Sequence, residues 1–380
     1  MSEKKNKKKP KAVILGGSIA GVSCAHALIL AGWDIVVLEK SNAPPKGSPT
    51  GAGLGIDPLA QQIIQSWLPQ PELLQEATLP LTIDQNIVTG GDKSTRILTR
   101  DENFNFGAAH WADLHSLLYD ALPPEIFLWG HVYLSFCISE DQTSVNVKAK
   151  SLQTNEIIEI NGDLLIAADG CLSSIRRTFL PDIKLSGTHS VLYELPKKKL
   201  NWIWYVHQPE PEVKGNSVTM KVSSDMINNM YQEAEKVWLP ELVQVMKETE
   251  EPFLNFIYDC DPLEQIFWGN VVLIGDAAHP TTPHGLRSTN MSILDAAVLG
   301  KCLQKWGLEN LPSALEEYQS VRVPVISQQV LHSRRLGRIK QGLYLPDRGP
   351  FDPNTASPED GEELQQKNMP FFSGAPISAD

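Results

Sequence analysis

The feature that most constrains this chain is a glycine cluster, Gly16-Gly17-Ser18-Ile19-Ala20-Gly21, lying between an apolar run at 11–17 and a proline-free stretch at 18–31. An apolar run that ends in glycines and is followed by helix-forming residues reads as strand, turn and helix. A second near-continuous apolar run at 33–39 has the composition of a strand covered on both faces in a parallel sheet. Together they predict a βαβ unit. Gly16 permits the tight turn, Gly21 lets the helix approach the strand, and the helix N-terminus offers free amides to a pyrophosphate. Glu39 closes the second strand, where an acid accepts hydrogen bonds from ribose hydroxyls. Ser18 stands where a glycine usually allows the closest approach to phosphate, and its small hydroxyl can itself bond a phosphate oxygen. The dinucleotide site so predicted comprises Gly16, Gly17, Ser18, Ile19, Ala20, Gly21 and Glu39, with Lys40 beside them. A chance glycine-rich turn is the plain alternative, and the acid at the end of the unit argues against it.

Two more apolar runs, 164–168 and 271–274, end at Asp169-Gly170 and Gly275-Asp276. Strands so widely spaced imply a nucleotide-binding domain interrupted by insertions. The expected fold class is α/β: a Rossmann-like domain interrupted by a substrate domain with a mixed or antiparallel β-sheet. The nucleotide domain is assigned to 11–180 and 262–345, with 80–105 contributing to the substrate sheet, and the substrate domain to 186–261. Within the latter, 201–206 places Trp202 and Trp204 on one face of a strand and Ile203 and Tyr205 on the other. Residues 225–250 read as helix broken at Pro240. Residues 1–10 read as a disordered basic leader. From 346 to 380, six prolines and many small or acidic residues leave little to pack, which predicts an irregular tail.

A chain of 380 residues, 42% apolar, suffices for one large core or two moderate ones. The formal charge of −12 argues against a nucleic-acid partner. Five scattered cysteines without a CxxC pair read as reduced thiols. Residues 1–11 hold six lysines and lack the apolar stretch of a secretory signal. No apolar segment approaches the ~20 residues of a transmembrane helix. An intracellular, cytoplasmic location is expected; a nuclear address is the second reading of the lysine run.

The second specific segment is the run at 271–278 (VVLIGDAA) followed by His279-Pro280-Thr281-Thr282-Pro283-His284-Gly285 and a helical stretch to about Cys302. It resembles the Gly-Asp-Ala-x-His-Pro segment of the FAD-dependent aromatic hydroxylase superfamily, whose type member is para-hydroxybenzoate hydroxylase. Asp169-Gly170, with Arg176 and Arg177 beyond, is similar to the middle motif of the same superfamily. Within it, Gly16 to Gly21, 51–56, 111–114 and 201–205 carry a likeness to the 2,6-dihydroxypyridine hydroxylase group and its eukaryotic relatives. The resemblance covers about 11–341 and implies bound FAD. Asp276 would contact ribityl or ribose hydroxyls, and Pro283, Gly285, Ser288, Thr289 and Asn290 would lie against the flavin, with Gly53 and Asp169 also at the cofactor. Trp111 stands where most members carry a flavin-contacting arginine, and is read as packing on the cofactor, with a core role as the alternative. The resemblance further implies that NADH or NADPH reduces the flavin, dioxygen is activated at flavin C4a as a hydroperoxide, and a small aromatic substrate is hydroxylated.

Three departures qualify this. Many members have glycines at the positions of Leu286 and Ser288, so this loop should adopt a conformation suited to residues with side chains. The strand with Tyr-x-Gly and Trp-Arg-Gly elements expected after Asp169-Gly170 is missing, which would leave an exposed sheet edge. No side chain announces itself as the catalytic base; Tyr205 and His284 are the candidates. His279 and His284, five apart in a proline-rich loop with no third ligand, do not make a metal site. An NAD dehydrogenase would share the first motif only. A flavin-binding protein without hydroxylase activity is the second reading, and the chain leaves its oligomeric state open, an oligomer being allowed.

Overall fold

The computed structural model describes residues 9–48, 51–89, 93–180, 190–206, 219–352 and 355–379. In chain order the elements begin with β1 (Lys11–Leu15), α1 (Ile19–Leu30) and β2 (Asp34–Glu39). There follow β3 (Gly53–Ile56), α2 (Pro58–Trp67), α3 (Leu73–Ala77), β4 (Leu79–Leu81), β5 (Asp84–Thr89), β6 (Thr95–Asp101), β7 (Phe106–His110) and α4 (Trp111–Asp120). The chain then returns through β8 (Phe127–Trp129), β9 (His131–Ile138), β10 (Val145–Ser151), β11 (Ile157–Gly162), β12 (Leu164–Ala167) and α5 (Ser174–Phe179). A hairpin of β13 (Ser190–Leu195) and β14 (Lys199–Trp204) precedes β15 (Thr219–Lys221), α6 (Ser224–Val237), α7 (Pro240–Lys247) and β16 (Phe253–Asn255). Last come β17 (Phe267–Trp268), β18 (Val271–Leu273), α8 (Ser288–Trp306), the long α9 (Leu311–Lys340) and α10 (Pro358–Glu362).

The widely spaced apolar runs meet in one six-stranded sheet of order β17-β18-β12-β1-β2-β8, parallel throughout except at β17. Ala12, Val13, Ile14, Leu164, Leu165, Ile166, Val271, Val272 and Leu273 are all fully buried, as central strands covered on both faces require. Neighbouring β12 and β18 end at Asp169-Gly170 and Gly275-Asp276, so both motifs emerge at the carboxyl edge of the sheet, where βαβ folds place their ligands.

The remaining strands form separate ribbons: β9–β10–β11, β3–β7–β4, β5–β6, β13–β14 and β15–β16. Residues 80–105, expected in a substrate sheet, thus contribute mainly a ribbon of their own. Between α5 and β14 the described residues contain one strand, β13, and its sequence SVLYEL carries neither Tyr-x-Gly nor Trp-Arg-Gly; residues 181–189 and most of the leader lie outside the described residues. The two faces of β14 separate as their alternation predicts: Trp202 and Trp204 pack with Met230, Tyr231 and Trp238 beside α6 and α7, while Asn201 faces β3. Pro240 opens α7, where its missing amide proton would have no helical acceptor.

The tail requires a correction. It is irregular apart from α10 and a 3-10 turn, but it packs. Leu364 and Met369 join Leu336 and Ile339 of α9 in a buried cluster, the Gln366 amide donates to Asp84 (2.8 Å), and Phe372 stacks on Phe104 and Phe106. Sparse apolar residues suffice here because their partner surface already exists on α9 and β6.

Candidate functional site

The turn after β1 is built from backbone. Gly16 has φ +101°, and a Cβ there would lie 2.3 Å from Ala168 O; a Cβ on Gly21 would lie 1.9 Å from Gly16 O. Any side chain at either position drives α1 off the sheet. Ser18 caps α1 without a side-chain bond, and the first turn holds no acid, so the first amides of α1 and its positive dipole end are left to an anion. Ile19 is buried, Ala20 half-buried and Lys40 exposed. The Glu39 carboxylate accepts from the Gly17 and Ser41 amides, each at 2.8 Å, which fixes it over the glycine turn. His115 bonds Gly17 O at 2.7 Å, and the half-buried Trp111 ring lies between Gly51 and His115, 5.7 Å from the latter between centroids.

At the neighbouring strand ends, Asp276 Oδ1 accepts from Ser288 Oγ at 2.6 Å. Burial raises the Asp276 carboxyl above its usual range, with the Ser288 hydroxyl acting in the opposite sense. Arg176 donates to Asp276 O (3.0 Å) and Ala277 O (2.8 Å), so the middle motif clasps the Gly275-Asp276 turn. Asp169 itself is engaged by the hydroxyls of Ser173 (2.6 Å) and Ser174 (2.9 Å) and by the Ser174 amide (2.8 Å), which makes it the anchor of α5 rather than an open ligand.

Sequence reasoning missed the anchor beneath this turn. Fully buried Asp295 on α8 accepts from the Gly275 amide (2.8 Å), His279 Nε2 (2.5 Å) and Arg322 Nε (2.7 Å). Burial alone would raise its carboxyl, but His279 and Arg322 outweigh it and hold the group at about 2. The available signal was an acid amid the apolar residues of a long helix, with an arginine in the next.

The loop before α8 departs from expectation. Leu286 has φ +56°, the left-handed conformation that glycine adopts freely. Its side chain packs over Gly55, its amide donates to Pro283 O (3.1 Å), and Asn290 Nδ2 donates to its carbonyl (2.7 Å); these contacts offset a strain of about 1–2 kcal/mol. Asn290 also donates to Gly55 O (2.8 Å) and accepts from the Asp57 amide (2.9 Å), so its side chain ties β3 to the loop and has no donor left for a cofactor. Thr289 is half-buried in the first turn of α8. Gly285 faces the tail: a Cβ there would lie 2.3 Å from Met369 Sδ. Gly53 faces β13–β14, its amide donating to Asn201 Oδ1 at 2.9 Å. Arg287, buried, pairs with Asp57 (2.7 Å) and lies over the rings of Phe106 and Phe372.

Tyr205 and His284, far apart in sequence, meet with ring centroids 5.7 Å apart. Both are buried; burial raises the Tyr205 phenol, while burial and then the Lys340 ammonium lower His284 well below its usual value. Both are therefore neutral near pH 7.

Comparison with known proteins bears on this arrangement. A family model described as an FAD binding domain matches residues 262–333, the span holding the Asp276 turn and α8. The 6-hydroxynicotinate 3-monooxygenase of Pseudomonas fluorescens is 25% identical over 358 residues, covering 85% of this chain and 90% of the relative. Over most of its length this chain is similar to FAD-dependent aromatic hydroxylases. The 3-hydroxybenzoate 6-hydroxylase of Polaromonas naphthalenivorans is 26% identical over 364 residues, covering 86% and 87% of the two chains. Among solved structures, 2,6-dihydroxypyridine-3-hydroxylase from Arthrobacter nicotinovorans superposes with a TM-score of 0.74 at 17% identity, covering 92% of this chain and 96% of that one. The hydroxylase fold thus extends well beyond the matched segment. FAD fits the residues present: an uncapped helix N-terminus for the pyrophosphate, Glu39 for the ribose and Asp276 for the polyol. No described helix is long and apolar enough to cross a membrane.

Proposed function

We propose that the protein is an FAD-dependent monooxygenase that consumes NADH or NADPH and, with dioxygen, hydroxylates a small aromatic or heteroaromatic ring. The observation that carries this reading is the convergence at one sheet edge of the glycine turn, Glu39 and the Asp276–Ser288 pair, with Tyr205 and His284 meeting near the loop that leads from it. FAD, when bound, supplies the redox chemistry between the nicotinamide and dioxygen.

The chain's own residues do the rest. The first turn of α1 holds the pyrophosphate, Glu39 the ribose hydroxyls and Asp276 the ribityl or ribose hydroxyls. The N-terminus of α8 directs partial positive charge toward an electron-rich ring, which favours its reduced, anionic form. Trp111 closes the cofactor cleft against Gly51. Tyr205 and His284 form a neutral pair: a ring hydroxyl can donate a hydrogen bond to the unprotonated imidazole directly or through the phenol, which raises electron density in the ring and makes it a better nucleophile. Only one nucleotide fingerprint is present, so the nicotinamide docks transiently.

The test is turnover of the FAD-loaded protein with hydroxylated rings under air. Substrate-dependent consumption of NAD(P)H and oxygen with a hydroxylated product is expected, and His284→Gln should slow product formation at unchanged FAD content. Flavin that is reduced and reoxidised with no hydroxylated product from any ring would favour the non-hydroxylating reading.

A further inference from the structure

Among the enclosed polar atoms that have no hydrogen-bond partner among the described residues, two lie on the hairpin that faces β3: Tyr193 Oη and Asn201 Nδ2. They belong to residues directly opposite one another in the β13–β14 ladder, so their side chains stand together on one face. Asn201, 8% exposed, accepts from the Gly53 amide through Oδ1, and that bond orients the amide so that Nδ2 points elsewhere. A Cβ on Gly53 would lie 2.7 Å from Tyr193 Oη and 2.8 Å from Asn201 Cγ, which places both groups against the strand preceding the Asp57 turn. Further along β14 the same face leads to Tyr205 and His284. Enclosed donors and hydroxyls are nearly always paired in folded proteins, so a juxtaposed pair left open is a place where a ligand completes the bonding.

We propose that Tyr193 and Asn201 are the specificity pair for the ring substrate, and that they select a neutral ring in which a carbonyl-type oxygen adjoins a ring N–H over a carboxylated ring. This rests on the monooxygenase reading and deepens it. Asn201 Nδ2 can only donate, whereas a tyrosine hydroxyl can also accept. A donor beside an acceptor matches the O=C–N–H edge of a cyclic amide. A carboxylate would call for a cation in their place. Lys199, two residues from Asn201 on the same face, is exposed, and Lys197 is paired with Asp113 at 3.2 Å. Burial keeps Tyr193 a neutral phenol, so the pair presents no charge.

The experiment is calorimetric titration of FAD-loaded protein with 2-hydroxypyridine, phenol and benzoate, alongside FAD content from the visible spectrum. Wild type should bind 2-hydroxypyridine about tenfold or more tighter than the other two. Tyr193→Phe, which removes one oxygen, and Asn201→Asp, which keeps the acceptor for Gly53 and removes the donor, should each weaken that binding about tenfold at unchanged FAD content. Benzoate binding tightest, or variants that leave 2-hydroxypyridine affinity intact, would overturn the proposal while the flavoprotein reading stands. Variants that lose FAD but bind 2-hydroxypyridine as wild type does would also overturn it, by assigning the pair to the cofactor. Wild-type protein that takes up no FAD would instead remove the reading on which the pair rests.

Discussion

Replacing Asp295 with asparagine tests the least exposed part of the site. The carboxylate receives three donors, from Gly275, His279 and Arg322, and both it and Arg322 are essentially inaccessible to solvent. An amide in its place turns an NH2 group toward one of those donors and leaves the Arg322 guanidinium buried without a counter-charge. Breaking a buried pair in this way costs about 3–5 kcal/mol. Because Gly275 precedes Asp276, the turn to which we assign the cofactor hydroxyls should loosen too, with FAD affinity falling about tenfold. Urea unfolding at pH 7, followed by intrinsic fluorescence, reads the first effect, and fluorescence quenching of added FAD reads the second. The acid limb supplies a second check. With the folded carboxyl at about 2 against an ordinary 3.8, this group stabilises the fold fully above about pH 4 and loses its contribution, about 2 kcal/mol, as pH falls toward 2. Asp295→Asn should therefore flatten that part of the acid limb. A loss below about 1 kcal/mol at neutral pH with unchanged FAD affinity would refute the reasoning.

Gly21→Ala should abolish FAD retention while leaving the protein folded enough to purify, since its Cβ would meet Gly16 O at 1.9 Å; wild-type flavin stoichiometry would contradict the turn geometry. Glu39→Ala removes the acceptor of the Gly17 and Ser41 amides and should weaken FAD binding about tenfold, measured by equilibrium titration. Phe372→Ala strips the tail of its stack on Phe106 and Arg287 and should cost about 2 kcal/mol in urea unfolding, with no effect expected had the tail been loosely attached.

The nucleotide-binding sheet was legible because its strands are covered on both faces: Ala12 to Leu15, 164–167 and 271–273 read as uninterrupted apolar runs, and each ends at a glycine or at the Asp-Gly pair. The alternation of Trp202, Ile203, Trp204 and Tyr205 was legible for the same local reason. Long-range pairing was not. Asn290 engages Gly55, Asp57 and Leu286, and Gly53 meets Tyr193 and Asn201, through contacts that no period or motif encodes. Leu286 keeps a glycine-like backbone because packing on Gly55 and two hydrogen bonds hold it there, a tertiary override of local preference. The tail looked unable to pack because its own composition is poor in apolar residues; Met369 and Phe372 find their surface on loops and strands formed hundreds of residues earlier or at the far side of α9.

The most direct test of the central claim is the visible absorption spectrum of the purified protein, followed by addition of NADH or NADPH under air with hydroxylated rings. Bound FAD that bleaches and reoxidises with formation of a hydroxylated ring is the predicted result. Well-folded protein that takes up no flavin on reconstitution would contradict it.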